Sequence, residues 1–431
     1  MSERPASTDL NRAQRRPVRQ LVAASVGNAV EWYDWYAYTF LATYFSTQVF
    51  PSDAGDPLLP LLSAFAVFAV GFFLRPIGGL LLGSLADRIG RRNALTVTIL
   101  MMGGGSLVMA VLPTYASAGL LAPALLVFAR LLQGLSIGGE FAAATTFLVE
   151  SAPPGRRGLF SSFQYVSTTI GQLVASGLAA VLAATLAKPD MTAWGWRIPF
   201  AVGAVIAVVG FWIRRGAEET HPAQAEIAAG RRPPLLEALR RYPRASLQIA
   251  AVTVAGTVTY YTWTTYFPTY AQTAAGVPPA QALTVGTISL AFFAVLQPLG
   301  GVLSDRVGRK PLLVVFAAGF ALGVVPLLGL VNDAVLTLLL VQCAGMVLLT
   351  GYTSIAAALN AELFPGHVRA SGIGFPYSLT VAIFGGTAPY LATWLASTGR
   401  AALFPWYVAA LALFGLVVYV RLPETAHRPL R

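Results

Sequence analysis

Charged residues are scarce in this sequence of 431 amino acids. They make up 11% of the chain, whereas a soluble protein carries about 25%. Hydrophobic residues account for 56%, and the mean hydropathy is +0.66. This composition excludes an ordinary soluble domain and indicates a protein that lies within a lipid bilayer.

Cysteine, lysine and histidine are also rare. The single cysteine, Cys343, excludes an internal disulfide and a cysteine-ligated metal site. A phosphate-binding P-loop needs a Gly-Lys-Ser/Thr sequence, and neither Lys188 nor Lys310 has that context, so we do not expect ATP-driven pumping. The histidines fall in predicted loops or in the C-terminal tail: His221, His367 and His427. We therefore expect no cofactor and no metal.

Apolar runs long enough to cross a membrane recur along the chain. About 20 helical residues span a hydrocarbon core of about 30 Å. We predict twelve spans, at about 19–49, 58–84, 93–113, 120–150, 159–187, 195–214, 245–273, 280–304, 311–331, 335–361, 371–398 and 402–421. The expected fold is an all-α membrane protein with twelve transmembrane helices.

Basic residues are distributed unevenly between the two sides of these spans. The N-terminal tail, the loops after even-numbered spans and the C-terminal tail hold 24 of the 29. Because basic loops stay in the cytoplasm, both termini are predicted to be cytoplasmic. The net charge of +11 follows from this distribution, so it does not indicate nucleic-acid binding.

Two short sequences occur once in each half of the chain. GSLADRIGRR at 83–92 matches GVLSDRVGRK at 301–310, and ESAPPGRRG at 150–158 matches ELFPGHVRA at 362–370. Two matches at offsets of 218 and 212 residues predict duplicated six-helix halves. The expected segments are a cytoplasmic tail (1–18), a first bundle (19–214), a cytoplasmic linker (215–244), a second bundle (245–421) and a cytoplasmic tail (422–431).

The duplicated G-x-L-x-D-R-x-G-R-R/K loop resembles the signature of the major facilitator superfamily. RLLQGLSIGGE at 130–140 resembles the fourth-helix motif of that superfamily. The sequence also resembles the metabolite:proton symporter family, through GNAVEWYDWYAY, RPIGG, WGWRIPF and AELFPGHVRASGIG. FQYVSTTIGQL, TYYTWTTY and IFGGTAPY are similar to the alpha-ketoglutarate permease branch of that family.

This resemblance implies a symporter of the cell inner membrane that uses alternating access and the proton gradient. The expected cargo is a small organic anion, first of all a dicarboxylate such as alpha-ketoglutarate, and the protein is expected to act as a monomer. Other cargoes within the family are an osmolyte such as proline or betaine, an aromatic acid or a citrate-like tricarboxylate. A non-transporting sensor or a membrane-bound enzyme is the remaining alternative, but no nucleophile–base set or signalling domain supports it.

Two carboxylates, Glu31 and Asp34, interrupt the first apolar span. At 100° per residue they share a sector of about 120° with Asn28, Trp35 and Tyr38. Ionisable residues within a bilayer usually mark a transport pathway. We therefore predict that Glu31, the first candidate, and Asp34 couple transport to protons; a structural ion pair is the alternative.

Three arginines also lie within predicted spans. Arg197 lies beside two tryptophans, as expected at the outer membrane interface, whereas Arg75 and Arg130 lie deeper. On a continuous fourth helix, Arg130 shares a sector of about 80° with Gln133 and Glu140. Two glycines flank this sector and allow a neighbouring backbone to approach closely. We interpret the cluster as a cationic site for an organic anion, with Glu140 as a third proton-coupling candidate; internal packing of Arg130 against Glu140 is the alternative.

Polar stripes on the fifth and seventh spans complete the predicted site. They have hydroxyl and amide groups that can bind a small dicarboxylate, although hydrogen bonds between helices are the alternative. The predicted substrate-binding residues are Arg75, Arg130, Gln133, Gln164, Tyr260 and Thr264.

The duplicated loops are predicted to form a latch at the cytoplasmic surface. A solvated charged loop is the alternative, but the repetition in both halves favours a latch. We expect Glu150 to accompany Arg156 or Arg157, and Glu362 to accompany Arg369. The predicted gating residues are Asp87, Arg88, Arg91, Arg92, Glu150, Arg157, Asp305, Arg306, Arg309, Glu362 and Arg369.

Overall fold

Helices account for most of the chain in the computed structural model. The structure describes residues 28–29, 31–51, 56–89, 91–138, 140–215, 240–366, 369–426, 428 and 430. Within these ranges, only the backbone is described at 83–84, 86–88, 91–92, 94–95, 140–141, 143, 210, 213–215 and 370–371. The N-terminal tail and most of the predicted linker therefore lie outside the described residues, and the predicted division into segments stays a prediction.

Twelve long helical stretches follow one another in these described ranges, besides two short helices, Tyr115–Ala118 and Lys188–Asp190. The first six are α1 (28–29 and 31–49), α2 (Leu59–Ile89), α3 (Arg91–Ala110), α4 (Leu121–Ile137 and Glu140–Glu150), α5 (Arg157–Thr185) and α6 (Arg197–Arg215). The others are α7 (Pro243–Tyr260 and Phe267–Ala275), α8 (Pro279–Val307), α9 (Arg309–Gly329), α10 (Val335–Thr353 and Ala356–Glu362), α11 (Arg369–Thr380 and Ala388–Ser397) and α12 (Leu403–Arg421). Each stretch overlaps one predicted span, so the all-helical fold is confirmed.

The outer surface of these helices is apolar. Eight described helices are long and apolar enough to cross a membrane, by length and composition. Large apolar side chains such as Leu247, Leu322 and Trp212 point outward and are mostly exposed. Such a continuous apolar surface fits lipid and not water.

Three wider π-helical turns occur among the residues that the structure describes. One turn, Tyr261–Tyr266, joins the two parts of α7, and another, Val381–Gly386, joins the two parts of α11. The third, Met191–Gly195, precedes α6. A π-turn contains one residue more than an α-helical turn, and such turns often mark functional positions.

The two halves meet along two pairs of helices, α5 with α8 and α2 with α11. Helix α5 approaches α8 most closely at Gly158, where a Cβ atom would lie 2.5 Å from the carbonyl oxygen of Gly301. Within the halves, α3 packs on α6 and α9 packs on α12. These matching pairs agree with the predicted duplication.

Helices α2 and α4 touch backbone to backbone. A Cβ atom at Gly134 would overlap the carbonyl oxygen of Gly71, and one at Gly138 would overlap that of Arg75. The close approach predicted at the two glycines of α4 is therefore confirmed, with α2 as the neighbouring helix. This crossing holds Arg75 close to Arg130.

Helix α4 is not the continuous helix assumed from the sequence. Its first part ends at Ile137 and its second part begins at Glu140. The single face predicted for Arg130, Gln133 and Glu140 stays a prediction. Arg130 and Gln133 lie together in the first part and are both fully buried, whereas the side chain of Glu140 lies outside the described residues.

Candidate functional site

A small cavity lies where the two halves meet. Its volume is about 20 Å³, which is enough for a single water molecule. Both halves contribute to its wall, which is mainly aromatic: Trp32, Tyr36, Tyr165, Thr168, Thr257, Tyr260, Tyr261 and Tyr377. A molecule larger than water enters only if the halves separate.

Arg75 lies beside this cavity in a box of aromatic rings. Its guanidinium carbon is 4.8 Å from the ring centre of Trp32, 4.2 Å from that of Trp35 and 4.0 Å from that of Phe72. The side chain is buried, and its Nε and Nη2 atoms have no hydrogen-bond acceptor among the described residues. The aromatic faces stabilise the charge but leave donors available for an anion.

Arg130 is completely buried beside Trp35 and Tyr38 of α1. Its guanidinium carbon lies 3.6 Å from the ring centre of Tyr38 and 5.4 Å from that of Trp35. In the described part of the chain, none of its three side-chain nitrogens has an acceptor. Buried donors without acceptors cost free energy, so this arrangement favours the binding of an acceptor from outside the chain.

Asp34 is the centre of a buried polar network between α1, α3 and α4. Ser106 and Gln133 both donate hydrogen bonds to its Oδ2 atom. Its Oδ1 atom has no donor among the described residues and points at Gly203 on α6, where a Cβ atom would lie 2.6 Å away. One carboxylate oxygen is therefore fixed and the other is available to a proton.

The other predicted binding residues join helices to one another. Gln164 lies beside Asn28, at 3.4 Å between its Nε2 atom and the Oδ1 atom. Tyr260 lines the cavity and donates to Gln172 at 3.1 Å, and Gln172 donates to Thr264 at 3.2 Å. Of these residues, Tyr260 is placed to touch a bound molecule directly.

Glu31 is buried on α1, one turn before Asp34. The side chain of Glu140 lies outside the described residues, as do those of Asp87, Arg88, Arg91 and Arg92 in the first duplicated loop. The predicted roles of these residues stay predictions.

Two ion pairs join the halves at the end of the bundle that carries the second duplicated loop. Nη1 of Arg157 on α5 lies 2.9 Å from Oε1 of Glu362 on α10. Nη1 of Arg369 on α11 lies 2.5 Å from Oε1 of Glu150 on α4. We call these four residues the inter-half clasp. Each glutamate thus reaches the arginine that the sequence placed beside the other glutamate, and Glu362 also lies 3.5 Å from Nη2 of Arg309 in its own half.

Asp305 of the second duplicated loop reinforces this closure. Its two carboxylate oxygens accept hydrogen bonds from the backbone N–H groups of Gly158 and Leu159, at 2.7 and 2.9 Å. It thereby caps the N-terminus of α5 in the other half, where a negative charge is favourable. Arg309 fixes this carboxylate at 2.9 Å, whereas Arg306 is exposed to solvent.

The C-terminal tail crosses the same end of the bundle. Glu424 accepts hydrogen bonds from the N–H groups of Arg309 and Lys310, at 2.9 and 3.0 Å. Thr425 donates to Glu362, and Arg157 donates to the carbonyl oxygen of Arg428, both at 2.5 Å. The tail of the second half therefore binds directly to an arginine of the first.

Sequence reasoning missed Ser106 and most of the aromatic wall. A single serine in an apolar helix follows no pattern that distinguishes it from a helix-packing residue. Tyr165, Tyr260 and Tyr261 occur in the motifs FQYVSTTIGQL and TYYTWTTY, whereas Tyr36 and Tyr377 do not. The meeting of the five tyrosines in one cavity depends on four separate helices.

The fold and this site define a multi-pass membrane transporter of small metabolites, not an enzyme. The closed cavity between duplicated halves is the arrangement in which secondary transporters hold their cargo. The chain belongs to the sugar (and other) transporter family of the major facilitator superfamily, and the sequence profile of that family matches residues 20–222 and 223–431. The predicted membership of the superfamily is thereby confirmed.

Three relatives are similar along nearly the whole chain. Alpha-ketoglutarate permease of Escherichia coli (strain K12) is 43% identical over 411 residues, covering 95% of this chain and 94% of that protein. The citrate-proton symporter of Salmonella typhi is 34% identical over 420 residues, covering 93% and 94%. The proline/betaine transporter of Salmonella typhimurium (strain LT2) is 30% identical over 426 residues, covering 96% and 85%.

Solved structures share the fold at low sequence identity. The crystal structure of a D-xylose-proton symporter has a TM-score of 0.74 at 20% identity, covering 95% of this chain and 99% of that chain. The proton:xylose symporter bound to 6-bromo-6-deoxy-D-glucose has a TM-score of 0.71 at 19% identity, covering 95% and 96%. At these identities the likeness supports the fold alone.

Proposed function

We propose that this protein is a proton-coupled symporter that imports a small organic anion, with a dicarboxylate such as alpha-ketoglutarate as its cargo. The observation that carries this proposal is the pair of buried arginines, Arg75 and Arg130. In the described chain, Nε and Nη2 of Arg75 and all three side-chain nitrogens of Arg130 have no acceptor. Carboxylates match the planar donor fork of arginine. The similarity to alpha-ketoglutarate permease supports the same cargo.

Arg75 is the proposed anchor of the cargo. It contacts Trp32 on the cavity wall, and hydroxyl groups of Thr168, Thr257 and Tyr260 line the same wall. One carboxylate binds the guanidinium and the remaining oxygens accept hydrogen bonds from the hydroxyls. Gln133, Gln164 and Thr264 support the neighbouring helices in this scheme.

Asp34 is the proposed proton carrier, ahead of Glu31 and Glu140. It lies in the network that also places Gln133 next to Arg130 on α4, and one of its oxygens is available. An anion that arrives near a carboxylate favours protonation of that carboxylate. Cargo and proton therefore bind together, as symport requires.

The inter-half clasp, together with Asp305 and Arg309, is the proposed gate. It closes one end of the cavity while cargo enters from the other end, and it opens when the halves rock in the opposite direction. The predicted gating role of the first duplicated loop completes this scheme by symmetry.

We assign the gate to the cytoplasmic side of the cell inner membrane, with both termini in the cytoplasm. The distribution of basic residues supports this orientation, and a relative that is 33% identical is named an inner membrane metabolite transport protein. In a background without Cys343, a cysteine in place of Ser7 should resist impermeant thiol reagents in intact cells, whereas one in place of exposed Ala116 should react. The reverse pattern refutes the orientation.

Uptake into proteoliposomes with an imposed pH gradient tests the transport function. Radiolabelled alpha-ketoglutarate should accumulate above its external concentration and should stop doing so when a protonophore collapses the gradient. A competition panel of mono-, di- and tricarboxylates should place dicarboxylates first. Absence of uphill accumulation of every carboxylate refutes the proposal.

The aromatic wall supports a second candidate cargo, a zwitterionic osmolyte such as betaine. Tyr and Trp faces bind quaternary ammonium groups, and the wall contains five tyrosines and Trp32. A proline/betaine transporter is 30% identical to this chain. Competition of alpha-ketoglutarate uptake by betaine at equal concentration separates the two candidates.

A further inference from the structure

Trp35 contacts both buried arginines of the site. The guanidinium carbon of Arg75 lies 4.2 Å from its ring centre, and that of Arg130 lies 5.4 Å from it. The two charges are therefore within about 10 Å of each other, a distance at which they still interact in a protein interior. Trp35 follows Asp34 directly in the chain, so a backbone shift at this point moves the ring and the carboxylate together.

The position of Trp35 is fixed on every side. The side chain is fully buried and packs at right angles to Phe72, at 4.8 Å between ring centres. A Cβ atom at Gly71 would lie 2.9 Å from its Cη2 atom, so the sequence leaves room there for this ring. Its Nε1 atom has no acceptor in the described residues, so the ring is held by packing and by the two cations.

One aromatic face cannot attract two cations independently. The attraction of a guanidinium to an indole arises from the quadrupole of the ring, and the two cations repel each other across it. When a carboxylate neutralises Arg75, this repulsion falls and Arg130 binds the ring differently. Because Arg130 has no hydrogen bond to Asp34, its distance from that carboxylate is set by the rings of Tyr38 and Trp35.

We infer that Trp35 is a positioning residue that couples the binding of an anion at Arg75 to the binding of a proton at Asp34. This inference rests on the proposed function and adds the connection between its two sites. The rival explanation is a direct electric field from the cargo, which needs no tryptophan. The two explanations differ in what happens when the ring is removed.

The matched control is Trp196. It is also fully buried, its Nε1 atom also lacks an acceptor in the described chain, and it also lies against one arginine, Arg197, at 4.3 Å. Trp196 contacts neither Arg75 nor Arg130 in the described structure. The variants Trp35→Leu, Trp35→Phe and Trp196→Leu therefore compare two similar tryptophans, of which one joins the arginines.

The first measurement is the affinity for alpha-ketoglutarate in lipid nanodiscs as a function of pH. Because coupling is reciprocal, proton coupling makes this affinity change with pH, by at least about fivefold from about pH 5.5 to about pH 8. We expect this change in the wild type and in Trp196→Leu, less than about twofold in Trp35→Leu, and an intermediate value in Trp35→Phe, because phenyl attracts cations more weakly than indole. Counterflow should continue in both Trp35 variants and reports that they fold. Full pH dependence in Trp35→Leu overturns the inference; if that variant does not fold, wild-type pH dependence in Trp35→Phe overturns it.

A second measurement needs no cargo. The infrared C=O band of protonated Asp34, identified by its loss in Asp34→Asn, gives the titration of that group. Arg75→Gln removes the charge, as neutralisation by an anion does. We expect this change to shift the pH at which Asp34 is half protonated when Trp35 is present, but not in the Trp35→Leu background. An equal shift of the Asp34 titration with Trp35 and in Trp35→Leu overturns the inference. If the wild type does not bind alpha-ketoglutarate, the proposed cargo fails, and this titration still decides the role of Trp35.

Discussion

Glu150 and Arg369 are 219 residues apart and form an ion pair at 2.5 Å between opposite halves of the molecule. Arg157 and Glu362 form the corresponding pair at 2.9 Å. In the sequence, Glu150 precedes Arg157 by seven residues, and Glu362 precedes Arg369 by the same number. The duplication therefore supplies two equivalent glutamate–arginine sets, and the fold exchanges their partners.

The two pairs of the inter-half clasp should differ in strength. Glu362 is 3% exposed and Arg157 is 13% exposed, whereas Glu150 is 47% exposed. We expect a double-mutant cycle on Arg157→Gln and Glu362→Gln to give a coupling energy of about 1.5–3 kcal/mol, and one on Arg369→Gln and Glu150→Gln to give about 1 kcal/mol or less, since solvent screens that pair. Thermal unfolding in detergent measures both cycles. Equal coupling energies contradict this prediction.

Asp305→Asn should slow cycling while leaving cargo binding nearly unchanged. The amide oxygen of asparagine can accept only one of the two N–H groups of α5, and its NH2 group cannot accept the other, which weakens the closed gate. The control is Asp333→Asn, an equivalent change at an exposed residue in the loop before α10. Turnover and equilibrium binding are measured separately, and a loss of binding in Asp305→Asn would place this residue in the cargo site instead. Asp87→Asn is expected to behave in the same way.

Arg75→Lys and Arg130→Lys should each weaken alpha-ketoglutarate binding by about tenfold or more, about 1.4 kcal/mol. Lysine keeps the charge but lacks the planar fork that binds a carboxylate through two donors. Arg400→Lys, in an exposed loop, is the matched control and should bind normally. Calorimetry in nanodiscs measures the affinities, and unchanged affinity in both variants removes the arginines from the site.

Neutralising the proton carrier should separate two modes of transport. Asp34→Asn should abolish uphill uptake driven by a pH gradient and spare counterflow, because an amide neither accepts nor releases a proton. Glu31→Gln and Glu140→Gln are measured beside it. If all three variants accumulate cargo like the wild type, these carboxylates do not couple transport to protons. If all three lose counterflow as well, their role is in binding or structure.

The tail contact of Glu424 should be sensitive to acid. Burial alone raises the pKa of this carboxyl, but four backbone N–H donors, from Arg309, Ala426, Lys310 and Thr425, outweigh burial and lower the pKa below its usual value. A lowered pKa in the folded state adds stability above the ordinary glutamate value of about 4.3, and this stability disappears as the pH falls through the folded pKa. The melting temperature of the wild type should therefore exceed that of Glu424→Gln at neutral pH, and the difference should vanish in acid. A difference independent of pH contradicts this assignment.

The sequence predicted the helices and the buried charges because both follow local rules. Apolar runs have a fixed length in a bilayer, and an acid such as Asp34 within such a run is conspicuous by its cost. The partners of Asp34 and Arg75 followed no such rule. Ser106 resembles any serine of a packed helix, and the box of rings around Arg75 comes from α1 and α2 together.

Sequence reasoning did not reveal the exchange of partners in the inter-half clasp, for a related reason. Glu150 and Arg157 are close in sequence and have opposite charges, so a pair within one half is compatible with everything that the local sequence shows. The choice between Arg157 and Arg369 depends on how α4 lies against α11 and α5 against α10, which sequence spacing does not specify.

The π-helical turns of α7 and α11 give the two halves different mechanical characters. Each π-turn contains one extra residue. If the π-turn moves along the helix, the residues that it passes shift by one position, and their side chains rotate by about 100°. The backbone hydrogen bonds are kept during this shift. Both of these π-helical turns lie in the second half, at Tyr261–Tyr266 and Val381–Gly386. Among the described residues, the buried charges away from the gate, such as Asp34, Arg75 and Arg130, all lie in the first half. The π-helical turn of the first half, Met191–Gly195, lies before α6. Asp34, Arg75 and Arg130 therefore lie on helices in which no π-turn is described, whereas α7 and α11, which face them across the cavity, can shift by one residue.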